Sequence, residues 1–179
     1  MWRNGKSVPG RPEGRGYDDL VDDAAVVSRQ LGRPARPFRR VAVRCPYGFP
    51  AVTEQAPFDP DGRPFPTTFY LTCPWLVAAL ARVEAEGGVR RWSEWAGADP
   101  ELGTSLAEAH DEQRRLRPEL PGGIAGARDG TALKCLHAHA AFALARPGYE
   151  LGERILEEAG ERWCPDARCS DASVGRDPA

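Results

Sequence analysis

Proline and glycine cut this chain into short pieces, and the pieces change character part-way along. Three extended runs lie between residues 39 and 72. RRVAVRC (39–45) is β-prone and ends at the tight segment Pro46-Tyr47-Gly48-Phe49-Pro50. AVTEQAP (51–57) follows, and PTTFYLT (66–72) is rich in the Thr and aromatic residues that suit strands. Asp61-Gly62 is a turn signal between the last two runs. From Pro74 onward the periodicity is helical, with Leu76, Leu80 and Val83 at i, i+4 and i+7. Gly87-Gly88 breaks that helix, and RRWSEWAG reads as a short one. Asp99-Pro100-Glu101 is a strong helix start, with a capping carboxylate, a proline and an acid in the first turn.

The Gly-rich loop PGGIAGARDG (121–130) separates that helix from TALKCLHAHAAFALA, where Thr131 is the expected cap and Pro147-Gly148 the stop. A further helix is expected over about 150–160. An earlier helix is expected over 18–31, with Leu20, Ala24, Val27 and Leu31 on one stripe and Gly32 and Pro34 ending it. The expected class is α+β: a small antiparallel sheet of two or three strands followed by four or five packed helices. Residues 1–16 read as a disordered tail, 17–160 as a single α+β domain, and 161–179 as a C-terminal tail that Trp163 and Cys164 could dock.

Composition excludes more than it assigns. No apolar run approaches the roughly 18 residues of a spanning helix. The first residues, MWRNGKSVPGRPEGRG, contain no apolar segment of the kind a secretory signal needs, so a cytoplasmic location is expected. Net charge is −2, and aromatics are 8% without basic interleaving, so nucleic acid is not expected as a partner. The glycine-rich nucleotide motifs, HExxH and GxSxG are all missing. Of the 24 basic residues only Lys6 and Lys134 are lysines. An ammonium can lose its proton when buried and a guanidinium cannot, which singles out Lys134 against the plainer reading of a solvated helix residue.

Five cysteines, Cys45, Cys73, Cys135, Cys164 and Cys169, are an odd number in a chain expected in a reducing compartment. They point to thiols, metal ligands or catalytic groups before structural disulfides, although each could also be a small buried hydrophobe. Cys45 ends a strand, while Cys73 and Cys135 stand at helix starts, where orphan N–H groups favour a thiolate. The segment Lys134-Cys135-Leu136-His137-Ala138-His139 leaves two pairings open. If residue 135 is helical, Cys135 and His139 share a face at i, i+4. If the helix begins one residue later, Cys135 can swing to His137, whose plain alternative is a buried histidine with one hydrogen bond. Cys45, Cys73, Cys135 and His137 would form a Cys3His zinc set, with His139 and Cys164 as alternates. An all-cysteine set would suit an iron–sulfur cluster. A metal-free alternative has Cys135 or Cys45 as nucleophile and His110 or His137 as base. Lys134 is a further catalytic candidate, and Arg44, Lys134 and Arg114 are anion-binding candidates. His110 otherwise reads as a solvated helix edge and Glu84 as a helix-surface acid.

The ordered combination VAVRCPYGFPAV, GRPFPTTFYLTCP, RVEAEG, an AH…R helix and KCLHAHAA resembles an uncharacterised, mainly actinobacterial family, domain of unknown function 501, over about residues 30–155. The resemblance implies a shared pattern at Arg44, Cys45, Pro46, Gly48, Pro50, Pro66, Thr67, Cys73, Pro74, Glu84, His110, Lys134, Cys135 and His137, and it favours His137 over His139. It implies no activity. The family's usual gene neighbours imply a housekeeping role in the cytoplasm. Where members typically continue with Asn-Pro-x-Gly, this chain has Tyr149-Glu150-Leu151-Gly152. The leading expectation is a Cys/His site for zinc or, as the lesser alternative, an iron–sulfur cluster, with an anionic small molecule as a further ligand. The alternatives are a thiol enzyme acting on an anionic substrate, or an interaction protein of the division or envelope machinery with purely structural cysteines.

Overall fold

The computed structural model describes residues 23–170. The tail expected over 1–16 and the start of the helix expected from Asp18 lie outside these residues, as does the end of the C-terminal tail. Helix α1 (Asp23–Leu31) comes first and ends at Gly32, which takes a left-handed φ of 64°. Strands β1 (Phe38–Arg44), β2 (Pro50–Gln55) and β3 (Phe69–Leu71) form an antiparallel meander in the order β1-β2-β3. Val41 faces Thr53 across the first pair, and Val52 faces Leu71 across the second. The Asp61-Gly62 turn closes between β2 and β3, with Asp59 Oδ1 accepting from the Asp61 and Arg63 amides.

Five helices follow the sheet: α2 (Pro74–Ala85), α3 (Gly88–Ala98), α4 (Pro100–Leu116), α5 (Leu136–Ala145) and α6 (Glu150–Glu158). The expected α+β class holds, with three strands and five helices after them. Asp99 caps α4 by accepting from the Glu101 and Leu102 amides, as its sequence position predicts. Helix α5 is the centre of the packing. It lies against β3 on one side and α6 on the other, and most of its residues are buried. Its alanines permit that close approach. Phe142 fills the remaining gap, edge-on to Phe69 and to Tyr149. Leu76, Leu80, Leu106, Leu136, Leu151 and Ile155 complete a continuous apolar cluster around it.

Two expectations are corrected. Thr131 does not cap α5. Its amide and hydroxyl both bond to Asp129 Oδ1, and the chain stays non-helical until Leu136. His110 is not on a solvated edge. It is fully buried, and its Nδ1 accepts from the Ile124 amide at 2.9 Å. Gly123 makes that bond possible, because a Cβ there would stand 2.2 Å from Nδ1. The Gly-rich loop is thereby fastened to α4.

A second buried histidine, His139, stacks edge-on to His110 at 5.7 Å and shares a 2.7 Å hydrogen bond with the Tyr149 hydroxyl. Burial first, and His110 second, push His139 down to about 3. Burial also lowers His110; Arg114 lowers it further, while Asp111 and Asp129 oppose the shift. Folding thus keeps both rings neutral where the unfolded chain would take up protons. Their effect is absent above the unfolded value of 6.5 and grows as the pH falls below it. His139 alone is expected to remove about 1 kcal/mol of stability between roughly pH 6.5 and 5.5. Urea unfolding at the two pH values checks this, and an unchanged midpoint would contradict it.

Candidate functional site

The site forms where α2 meets the start of α5. Pro74 at the first position of α2 fixes where that helix begins, and the helix carries Val77 and Glu84 along one side. After the Gly-rich loop, Lys134 Nζ donates to the Gly126 carbonyl at 2.8 Å. Cys135 is extended, with φ −161° and ψ 123°, and occupies the N-cap position of α5. The first helical amide, Leu136 N–H, donates to Glu84 Oε1 at 2.6 Å. A carboxylate from another helix therefore supplies the cap that the local sequence does not.

This start leaves Cys135 outside the helix and brings it to His137. Sγ lies 3.7 Å from His137 Nδ1, and Glu84 Oε1 lies 3.2 Å from the same nitrogen. The ligand atoms of Glu84, Cys135 and His137 all fall within 4.8 Å of one another. The other ring nitrogen, His137 Nε2, stands 3.1 Å from the Val77 carbonyl. A proton on Nε2 satisfies that carbonyl, and a proton on Nδ1 faces the sulfur and the carboxylate; loss of the Nδ1 proton would turn its lone pair toward them. The group is half-buried, with 23% of the His137 side chain and 27% of the Glu84 side chain exposed. In this setting the Cys135 sulfur, aided by the Glu84 charge and opposed by burial, pushes His137 up to about 9.

The remaining candidates lie elsewhere. His139 points into the core toward Tyr149, and His110 is enclosed beside it. Cys45 and Cys73 are outside the Glu84–Cys135–His137 group. Cys73 is buried at the N-cap of α2, and its thiol is pushed up to about 11, mainly by burial, with the charges of Cys169 and Cys164 adding to the rise. Cys164 is buried as well. Arg44 is engaged by Asp23 at 2.7 and 3.1 Å and donates to the Gly48 carbonyl. Arg114 pairs with Asp111. Of the three anion-binding candidates, Lys134 is the one adjoining the site, as the neighbour of Cys135. Glu84 is the group that pattern reading passed over. Its motif position in RVEAEG was the available signal, but helical spacing alone makes it a surface acid.

Comparison with known families adds one match. A family model described as "Protein of unknown function (DUF501)" matches residues 41–122. The chain resembles the DUF501 family. The match spans Cys45, Cys73, Glu84 and His110 and stops before Lys134, Cys135 and His137. No curated protein and no solved structure gives a significant match. The DUF501 segment therefore contributes Glu84 to the site, and the chain beyond that segment contributes the thiol and the imidazole.

Because Glu84 both caps α5 and faces His137, its removal should weaken the fold as well as the site. Glu84→Ala is expected to lower stability by about 1–2 kcal/mol, while Glu84→Gln, which keeps an acceptor for Leu136 N–H, should lose less. Chemical denaturation of the three proteins checks the order, and a Glu84→Ala variant as stable as the parent would contradict it.

Proposed function

We propose that this protein binds a divalent metal ion, zinc foremost, through Glu84, Cys135 and His137. The convergence of three ligand atoms of these types within 4.8 Å carries the reading. A thiolate with an imidazole selects zinc among common divalent ions, and a carboxylate oxygen completes a three-residue set. The His137–Val77 contact supports it. A ligating histidine commonly gives its second N–H to a backbone carbonyl, which fixes the ring and its tautomer. Three protein ligands leave a fourth position for water or an incoming anion, as in catalytic rather than structural sites. In such a place zinc supplies Lewis acidity. Glu84 is fastened by Leu136 N–H and His137 by Val77, so two ligands are held before metal arrives. Lys134, next to Cys135 and bonded to Gly126 O, brings a positive charge beside the site for an anionic ligand.

A second reading rests on the thiol–imidazole contact itself. Cys135, with a ring nitrogen at 3.7 Å to take its proton, is placed to act as a nucleophile without metal. Zinc and an alkylating agent would compete for that sulfur, so one titration separates the readings.

Protein purified without chelator is titrated with zinc against a competing chelator, and its alkylation by iodoacetamide is followed in parallel. The expected result is one tight zinc that protects Cys135 from alkylation. Cys135→Ser and His137→Ala should weaken that zinc by at least about 10–100-fold, while Cys164→Ala should leave it unchanged. Zinc bound equally well by the Cys135→Ser variant would overturn the metal reading. Rapid alkylation of Cys135 indifferent to zinc would favour the thiol reading instead.

A further inference from the structure

The four cysteines outside this site gather at another place. The turn Cys45-Pro46-Tyr47-Gly48 closes through Gly48 N–H to the Cys45 carbonyl at 2.9 Å, with Gly48 at φ 85°. Cys73 is the N-cap residue of α2 and is buried there. The segment 161–170 lies across both. Tyr47 Oη donates to the Pro165 carbonyl at 3.1 Å, Trp75 Nε1 donates to the Glu161 carbonyl at 2.6 Å, and Arg168 stacks over the Trp75 ring.

Within that segment Cys164 and Cys169 are the two fully buried side chains, each 7% exposed, amid mostly charged or small polar neighbours. Trp163 also packs against the core, so the segment is docked by one aromatic ring as well as by its two thiols. The Tyr47–Pro165 and Trp75–Glu161 bonds bring their segment up to the elements that carry the other pair. Cys73 feels the charges of Cys169 and Cys164, and Cys169 feels those of Cys45 and Cys164. Gln30 Nε2 donates to Cys169 Sγ at 3.4 Å, and the positive Arg168 is near enough to interact with both thiols of its segment. A side-chain amide on Cys169 and a cation beside Cys164 and Cys169 are groups that offset the charge of bound thiolates.

We propose that Cys45, Cys73, Cys164 and Cys169 bind an iron–sulfur cluster. The spacing of the sulfurs argues against a single zinc. Four thiolates on one zinc, at bonds of about 2.3 Å, stand only about 3.8 Å apart. Among the described residues no three of these sulfurs lie within 4.8 Å of one another. A cluster spreads its ligands over several iron atoms and accepts the wider set. Cys45, Cys73 and Cys164 are each followed by proline, which adds no N–H of its own and holds the cysteine extended. The cluster would staple the C-terminal segment to the β1–β2 turn and the head of α2. It does not depend on the Glu84–Cys135–His137 reading.

The test is anaerobic reconstitution of the full chain with ferric iron, a thiol reductant and sulfide, read by visible absorption and by iron and acid-labile sulfide per chain. A coloured protein with iron and sulfide in equal amounts, about two to four of each, is expected. Cys164→Ala and Cys169→Ala should lose at least about ten-fold of that iron, while Cys135→Ser and His137→Ala keep it. Neither Cys164 nor Cys169 belongs to the main apolar cluster, and circular dichroism verifies that their variants fold. Should they not fold, alkylation mapping of the parent replaces them: loading must protect the four cysteines and spare Cys135. A colourless protein without sulfide, zinc on these four thiols, a Cys164–Cys169 disulfide in the anaerobic protein, or a cluster that survives both substitutions would each overturn the proposal.

Discussion

The bond from Leu136 N–H to Glu84 Oε1 decides where α5 begins, and the start of α5 decides what Cys135 can touch. A helix beginning earlier would carry Cys135 onto the same face as His139, whose ring is committed to Tyr149 in the core. With the start at Leu136, Cys135 is an extended cap residue and its sulfur swings back to His137. One carboxylate from α2 thus satisfies an orphan helix donor and assembles a thiol, an imidazole and itself within 4.8 Å. The same bond ties α2 to α5, the helix that fills the centre of the molecule. Fold and site share a fastening, so disturbing one disturbs the other.

Much of the fold is legible because its signals are local. Asp99-Pro100-Glu101 carries its own cap, Asp61-Gly62 its own turn, and Gly32 its own stop. The beginning of α5 is not legible for the opposite reason. Thr131 has the look of a cap, but Asp129 takes its amide and hydroxyl, and the true cap comes from Glu84, far away in sequence. His110 misleads in the same way. Its place beside the apolar stripe of α4 says surface, until the loop at Gly123–Ile124 folds over it. For the cysteines, the sequence offers boundary positions but no partners. It cannot show that the head of α2 receives a C-terminal segment while the head of α5 receives a glutamate.

Sulfur is divided between two environments with different physics. Cys73, Cys164 and Cys169 are buried, and burial raises the thiols of Cys73 and Cys169, so each resists ionisation without a cation to share the charge. Cys135 is partly exposed at the N-cap of α5, with an imidazole nitrogen 3.7 Å from its sulfur. The first setting suits a closed, staple-like centre. The second suits an accessible one, with a coordination position left for a ligand from solvent. The DUF501 match spans Cys45, Cys73 and Glu84, one part of each arrangement, and both are completed by residues beyond it.

The central claim is that Cys135, His137 and Glu84 together take one metal ion. X-ray absorption at the zinc edge, on zinc-loaded protein carrying Cys164→Ala and Cys169→Ala, reads the ligand shell directly. The account predicts a single sulfur at about 2.3 Å with nitrogen and oxygen neighbours at about 2.0–2.2 Å. A shell of nitrogen and oxygen alone, or one of several sulfurs, would contradict it.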